Sequence, residues 1–116
     1  MTLDGPGGNV WYGYSTNPGF TSWTFKPAPL FSSSVANWDY PSIGVDASGR
    51  VIAGAVSFPG PTGYYSVVSA DGINFSSPAL VANPGIGNGG GARSRVVATN
   101  NLFQAFVPTL NSSSDP

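Results

Sequence analysis

Cysteine, histidine and glutamate are all missing from this 116-residue chain. Without histidine or cysteine there is no ordinary zinc ligand set, no thiol nucleophile and no Ser-His-Asp triad, so most single-chain hydrolytic chemistry and any usual metal or cofactor site go with them. The same absence removes disulfide support. Charge is scarce as well: four lysines and arginines against five aspartates give a net charge of -1, and only 8% of residues are charged. Nucleic-acid binders neutralise phosphates with clustered cations, which four scattered ones cannot provide, so nucleic acid is excluded as a partner. No run of 18 apolar residues is present to span a membrane as a helix. Met1 to Pro6 lacks the basic and apolar regions of a signal peptide, and the start reads as that of an excised domain or a processed chain.

Good helix formers are few. Lysine and glutamine occur once each, and 16 glycines and 11 prolines interrupt nearly every window of a dozen residues. Yet 41% of residues are hydrophobic and 13% aromatic, which suits a packed protein instead of a disordered one. The chain therefore reads as one all-β module over residues 1–116. Its low charge and abundance of Ser, Thr, Asn and Gly suit an exported bacterial protein, that is, a secreted or extracellular location.

An internal repeat organises the sequence. Ser15 and Ser69 correspond at a spacing of 54, Trp23 and Phe75 at 52, Leu30 and Leu80 at 50, Ser42 and Ser94 at 52, and Val56 and Val107 at 51. A repeat of about fifty residues built from short strands points to propeller blades, each a four-stranded antiparallel sheet, although chance similarity between Gly-rich β segments would look alike. Strands are expected at 9–15, 22–25, 42–46, 51–58, 64–69, 75–81, 93–98 and 102–107. Ala47-Ser48-Gly49-Arg50 forms a tight turn between the third and fourth of these. Gly/Pro/Ser/Asn-rich stretches at 26–37, 82–92 and after Pro108 read as loops, the last as a frayed tail.

Two segments sharpen this reading. Ser69-Ala70-Asp71-Gly72-Ile73-Asn74-Phe75 resembles the Asp-box, or BNR repeat, of sialidase-like β-propellers (Ser-x-Asp-x-Gly-x-Thr-Trp/Phe), one residue short. An Asp can accept bonds from backbone N–H groups two residues on, Gly accepts positive φ, and the closing aromatic packs between sheets. Ser15, Asn17, Gly19 and Trp23 form a degenerate second copy, with Asn for Asp and one extra residue before the Trp. Asp39-Tyr40-Pro41-Ser42-Ile43-Gly44-Val45-Asp46-Ala47-Ser48-Gly49 is similar to a run common on the inner strand and following turn of bacterial sialidase-like domains. The likeness extends from about Asn9 to Val107.

The resemblance implies a structural role for both Asp-box copies, on the turn between blade strands three and four and far from any active centre. It implies that 39–81 is a complete blade, flanked by a half-blade of strands three and four at 9–31 and a half-blade of strands one and two at 92–108. Joined head to tail, such chains would complete a blade at each junction, three copies giving the six blades usual in that family. Ligands would face the opposite end, where the loops 31–40, 58–63 and 83–93 gather.

Candidates at that end are Trp38, Asp39 and Tyr40, which combine a ring and polar groups suited to a sugar, and Arg93 and Arg95, which at i, i+2 share one side of a strand. Each has a plainer alternative: packing over a blade edge for the aromatics, an aggregation-resisting edge strand for the arginines. A sialidase centre needs three arginines, a Tyr–Glu pair and an Asp. Here no Glu exists, Arg50 falls on the wrong face, and no catalytic residue is assigned. Three readings stay open: a non-catalytic glycan-binding module, a structural or designed self-assembling propeller fragment without ligand, and a fragment of a sialidase-like glycoside hydrolase.

Overall fold

The computed structural model describes residues 2–5, 8–58, 63–82, 95–99 and 102–106. Val51–Phe58 shows how the chain builds its layers. Every residue from Val51 to Ser57 is buried, and the two faces of this strand belong to different cores. Val51, Ala53 and Ala55 pack into one apolar cluster, Ile52 and Val56 into another. Because successive side chains of a strand point to opposite faces, an uninterrupted apolar run requires a layer on each side. That is the arrangement found.

Three antiparallel sheets stack in chain order. The first contains β1 (Thr2–Gly5), β2 (Asn9–Tyr14) and β3 (Thr24–Phe25). The second is a four-stranded meander of β4 (Asn37–Val45), β5 (Val51–Phe58), β6 (Gly63–Ser69) and β7 (Ala79–Ala82). The third pairs β8 (Arg95–Thr99) with β9 (Leu102–Phe106). Among the described residues there is no helix, so the all-β expectation holds. Likewise none of them forms a helix long and apolar enough to cross a membrane.

Between the first and second sheets lies the larger core, with Val10, Tyr12, Phe31, Trp38, Ala53 and Val67 among its buried members. Phe31 bridges back to Val10 and closes the end of the first sheet. The second and third sheets share a smaller core of Ile52, Val56, Tyr64 and Val96, with Phe103 packed against it. Two glycines let these sheets approach. A β-carbon on Gly44 would meet the backbone of β8 at 2.7 Å from the Ala98 nitrogen and 2.9 Å from the Val97 carbonyl carbon, closer than packed atoms tolerate. A β-carbon on Gly54 would overlap the Tyr64 hydroxyl. Tyr64 therefore reaches across β5 at Gly54 to the strand beyond, where Ser42 stands opposite Gly54.

Three elements differ from the sequence expectation. β1 is additional: the N-terminal sheet has three strands, not the two of the expected half-blade at 9–31. β4 begins at Asn37 instead of Ser42, and it accommodates Pro41 with a bulge, the register against β5 slipping by one residue between Asp39 and Ser42. The strand expected at Phe75–Val81 starts only at Ala79, because Phe75 belongs to the turn that precedes it. Residues 92–94, 100–101 and 107–108 of the expected C-terminal half-blade lie outside the described residues.

Candidate functional site

The Asp71 turn joins β6 to β7, the third and fourth strands of the central meander. Asp71 Oδ1 accepts bonds from the backbone N–H groups of Ile73 and Asn74, both at 2.8 Å, and from the buried Ser69 hydroxyl at 3.0 Å. Its Oδ2 accepts from the Asn74 side-chain amide at 2.7 Å. These donors, the Asn74 and Ile73 amides foremost, favour the ionised form and hold the carboxyl well below the usual carboxylate range. Gly72 supplies the positive φ of 73° that the turn needs.

The turn is also a clasp between layers. Phe75 meets Tyr12 of the first sheet edge-on, with ring centroids 4.8 Å apart. Lys26, just past β3, donates to the Ile73 carbonyl at 2.6 Å and holds its ammonium 5.9 Å from the Phe75 ring centroid. Burial raises the Tyr12 phenol pKa, and the neighbouring Tyr14 and Asp71 raise it further.

The degenerate copy has a similar local geometry and a different setting. Asn17 N–H donates to the Ser15 hydroxyl at 3.2 Å, Gly19 N–H to Asn17 Oδ1 at 2.7 Å, and Phe20 N–H to the Asn17 carbonyl at 3.0 Å. Phe20 takes a φ of 52°, a strained value for a side chain of its size. Trp23 stacks on Phe20 with centroids 6.2 Å apart and remains 41% exposed, so among the described residues the closing aromatic here has no second sheet beneath it.

A second aspartate turn connects β4 to β5. The Asp46 carboxylate, fully covered, accepts from Ser48 N–H at 3.0 Å, Ser48 Oγ at 2.8 Å and Arg50 N–H at 2.9 Å, and pairs with Arg50 Nε at 2.6 Å. Burial raises its pKa, but the bonds from Ser48 and Arg50 outweigh that and bring it from the ordinary 3.8 down to about 2. Gly49, at φ 84°, completes the turn. The Arg50 guanidinium lies 5.2 Å from the Phe103 ring centroid, which ties this turn to the third sheet just as Phe75 ties the other turn to the first. The two turns share one logic: an ionised aspartate organises the loop locally, and a neighbouring side chain grips the next layer.

Sequence reasoning missed a third polar centre. The buried Ser42 hydroxyl lies 2.8 Å from the Tyr64 hydroxyl and accepts from Val96 N–H of β8 at 3.2 Å, linking β4, β6 and the third sheet. Serine within the Pro41-Ser42-Ile43-Gly44 run was its only signal.

Of the expected ligand residues, the side chains of Trp38, Asp39 and Tyr40 fall within the described part of the structure. Trp38 is 3% exposed, its ring packed against Phe31 at 5.0 Å and Tyr65 at 5.2 Å, and its indole N–H donates to the Ser32 carbonyl at 2.9 Å. It is a core residue on β4, not a loop residue offering a ring to a sugar, because the Phe31–Ser33 segment folds back over it. Asp39 and Tyr40 stand on the bulge of β4: Tyr40 is half exposed with φ 51°, and its N–H donates to Asp39 Oδ1 at 2.7 Å. Arg93 lies outside the described residues. Arg95 opens β8 opposite Phe106, and its side chain is likewise outside them. Among the described residues no cluster of three metal-ligating side chains occurs. No protein-family profile, curated protein or solved structure matches this chain.

Proposed function

We propose that this chain is a non-catalytic module of a sialidase-like, Asp-box β-propeller, whose work is to supply blades: three copies join head to tail into a six-bladed ring. One observation carries the reading. A four-stranded meander is flanked by a three-stranded sheet on one side and a two-stranded sheet on the other, among the described residues; read as blades, the first would lack its innermost strand and the other its outer ones. Each incomplete sheet holds what the other lacks. The contact between copies is head to tail, which closes into a ring when the rotation per copy divides a full turn. The Asp71 turn, at the junction of the third and fourth strands and gripping the preceding sheet, supports the Asp-box likeness.

Asp46 and Asp71 direct their lone pairs into their own turns, which supports a structural and not a catalytic use for both. A carbohydrate ligand remains the second reading, resting on the bulge that turns Tyr40 outward beside Asp39, since bulges commonly re-aim side chains at binding sites. Sedimentation equilibrium at micromolar concentration tests the assembly. The expected mass is three times that of the 11.9 kDa chain. A folded monomer across that range rejects it.

A further inference from the structure

The repeat allows every strand to be assigned a place in its sheet. Residues 54 apart correspond on β2 and β6, Asn9 with Gly63 and Val10 with Tyr64. In the central sheet Tyr64 pairs with Val56 and Gly63 with Ser57; in the first sheet Val10 pairs with Asp4 and Asn9 with Gly5. β1 thus holds the second-strand position that β5 holds in the meander, and β9, which follows β8 as β5 follows β4, is a second-strand element too. Joining the third sheet of one copy to the first sheet of the next therefore supplies two candidates for one position.

β1 is the weaker candidate. It has four residues, Thr-Leu-Asp-Gly, where β5 has eight, and it puts Asp4 at the register position where the meander buries Val56. β9 is five residues long, Leu-Phe-Gln-Ala-Phe, and arrives already paired with β8, an innermost strand. The first sheet lacks that innermost strand, and the effect falls on β4. Its side toward the third sheet is covered, Gly44 lying against β8, while on its other side Val45 is 58% exposed. Val97 and Leu102 of β8 and β9 are exposed on the face turned away from their own core. Bringing β8 and β9 of one copy into the first sheet of the next sets those apolar residues against the exposed Val45 end of β4, beside the Trp38 and Ile43 part that the first sheet already covers, and removes a free sheet edge, the kind of edge that recruits partners.

We infer that β1 is a placeholder: it fills the second-strand position within the isolated chain and gives way to β9 of another copy, so that assembly proceeds by strand exchange. The inference rests on the propeller-assembly reading and adds to it a competition inside the chain. The exchange is economical because the incoming strand remakes the ladder that the outgoing one leaves, as in domain swapping.

The absence of native cysteine makes the test direct. Gly5 and Asn9 are cross-strand partners of β1 and β2, and such pairs lie within the span a disulfide can bridge. The full chain carrying G5C/N9C, oxidised, is expected to sediment as the monomer at concentrations where the same protein reduced, and the unmodified chain, assemble. A chain lacking residues 2–5 is expected to assemble at lower concentration than the unmodified one. If the oxidised lock assembles as well as its reduced form, β1 is no placeholder, though assembly itself stands. A deletion variant that does not fold at any concentration also overturns the inference, because a placeholder is dispensable once β9 arrives. If the unmodified chain and the deletion variant both stay monomeric, the assembly reading falls and this one with it.

Discussion

Removing the Ser42 hydroxyl should cost the fold more than a surface change of the same size, and the geometry gives the amount. Ser42 Oγ is buried, 2.8 Å from Tyr64 Oη and 3.2 Å from Val96 N. In Ser42→Ala the Val96 N–H loses this acceptor inside the interface between the second and third sheets, a desolvation cost of about 1–3 kcal/mol, and the link to Tyr64 contributes about 1 kcal/mol more. We expect a total of about 2–4 kcal/mol. Urea unfolding followed by tryptophan fluorescence reads this directly, Trp38 being a buried reporter. With a slope of about 2 kcal/mol/M the midpoint should fall by about 1–2 M at unchanged slope. Tyr64→Phe keeps the ring over Gly54 and deletes only the hydroxyl, so a double-mutant cycle isolates the Ser42–Tyr64 link, with an expected coupling of about 1 kcal/mol. Strict additivity of the two substitutions, or a Ser42→Ala loss below about 0.5 kcal/mol, would refute the idea that this hydroxyl joins the layers.

Gly44→Ala should destabilise by about 1–3 kcal/mol, since its β-carbon meets β8 backbone and not a movable side-chain tip; an unchanged urea midpoint would contradict the close approach. Trp38→Ala should lower stability by about 3–5 kcal/mol, as for other large core truncations, and a variant of native stability would put the ring back at the surface. For pH, Asp46 has a folded pKa of about 2 against an ordinary 3.8, so its contribution is present above pH 3.8 and is lost as the pH falls toward 2. Thermal unfolding should show that loss, and Asp46→Asn should reduce it without removing it, because Asp71, also held below the ordinary range, loses its contribution in acid too. Far-UV circular dichroism should show a β spectrum; helix above about a fifth of the residues would contradict the fold.

Legibility followed the reach of each signal. Val51–Phe58 was readable in full because burial on both faces leaves an unbroken apolar run, a property of the strand itself. The Asp71 turn was readable because its bonds span only two or three residues. Phe75 was readable as the closing aromatic of the turn but also read as the start of a strand, which begins only at Ala79 while Phe75 packs on Tyr12, 63 positions earlier. The burial of Trp38 was not readable for a related reason. Flanked by Asn37 and Asp39, with Pro41 close behind, it has the local composition of a loop, and only the chain folding back through Ser32 and across from Tyr65 turns it into core.

β1 shows the limit most sharply, and it changes what the repeat means. By composition Thr-Leu-Asp-Gly is a poor strand, with two β-disfavoured residues in four. It is a strand because β2 offers a ladder and β4 a face to lie against. In the proposed assembly, counting from β2 alone would tile the strands into whole blades, whereas counting from β1 leaves one strand too many at each junction between copies. A surplus strand there would have a choice of partner, and the choice would fall to apolar content: four residues including an aspartate within the chain, or five largely apolar residues brought in with an innermost strand attached. The repeat thus sets which strands are equivalent, while the unequal apolar content of equivalent strands decides which of them stays paired.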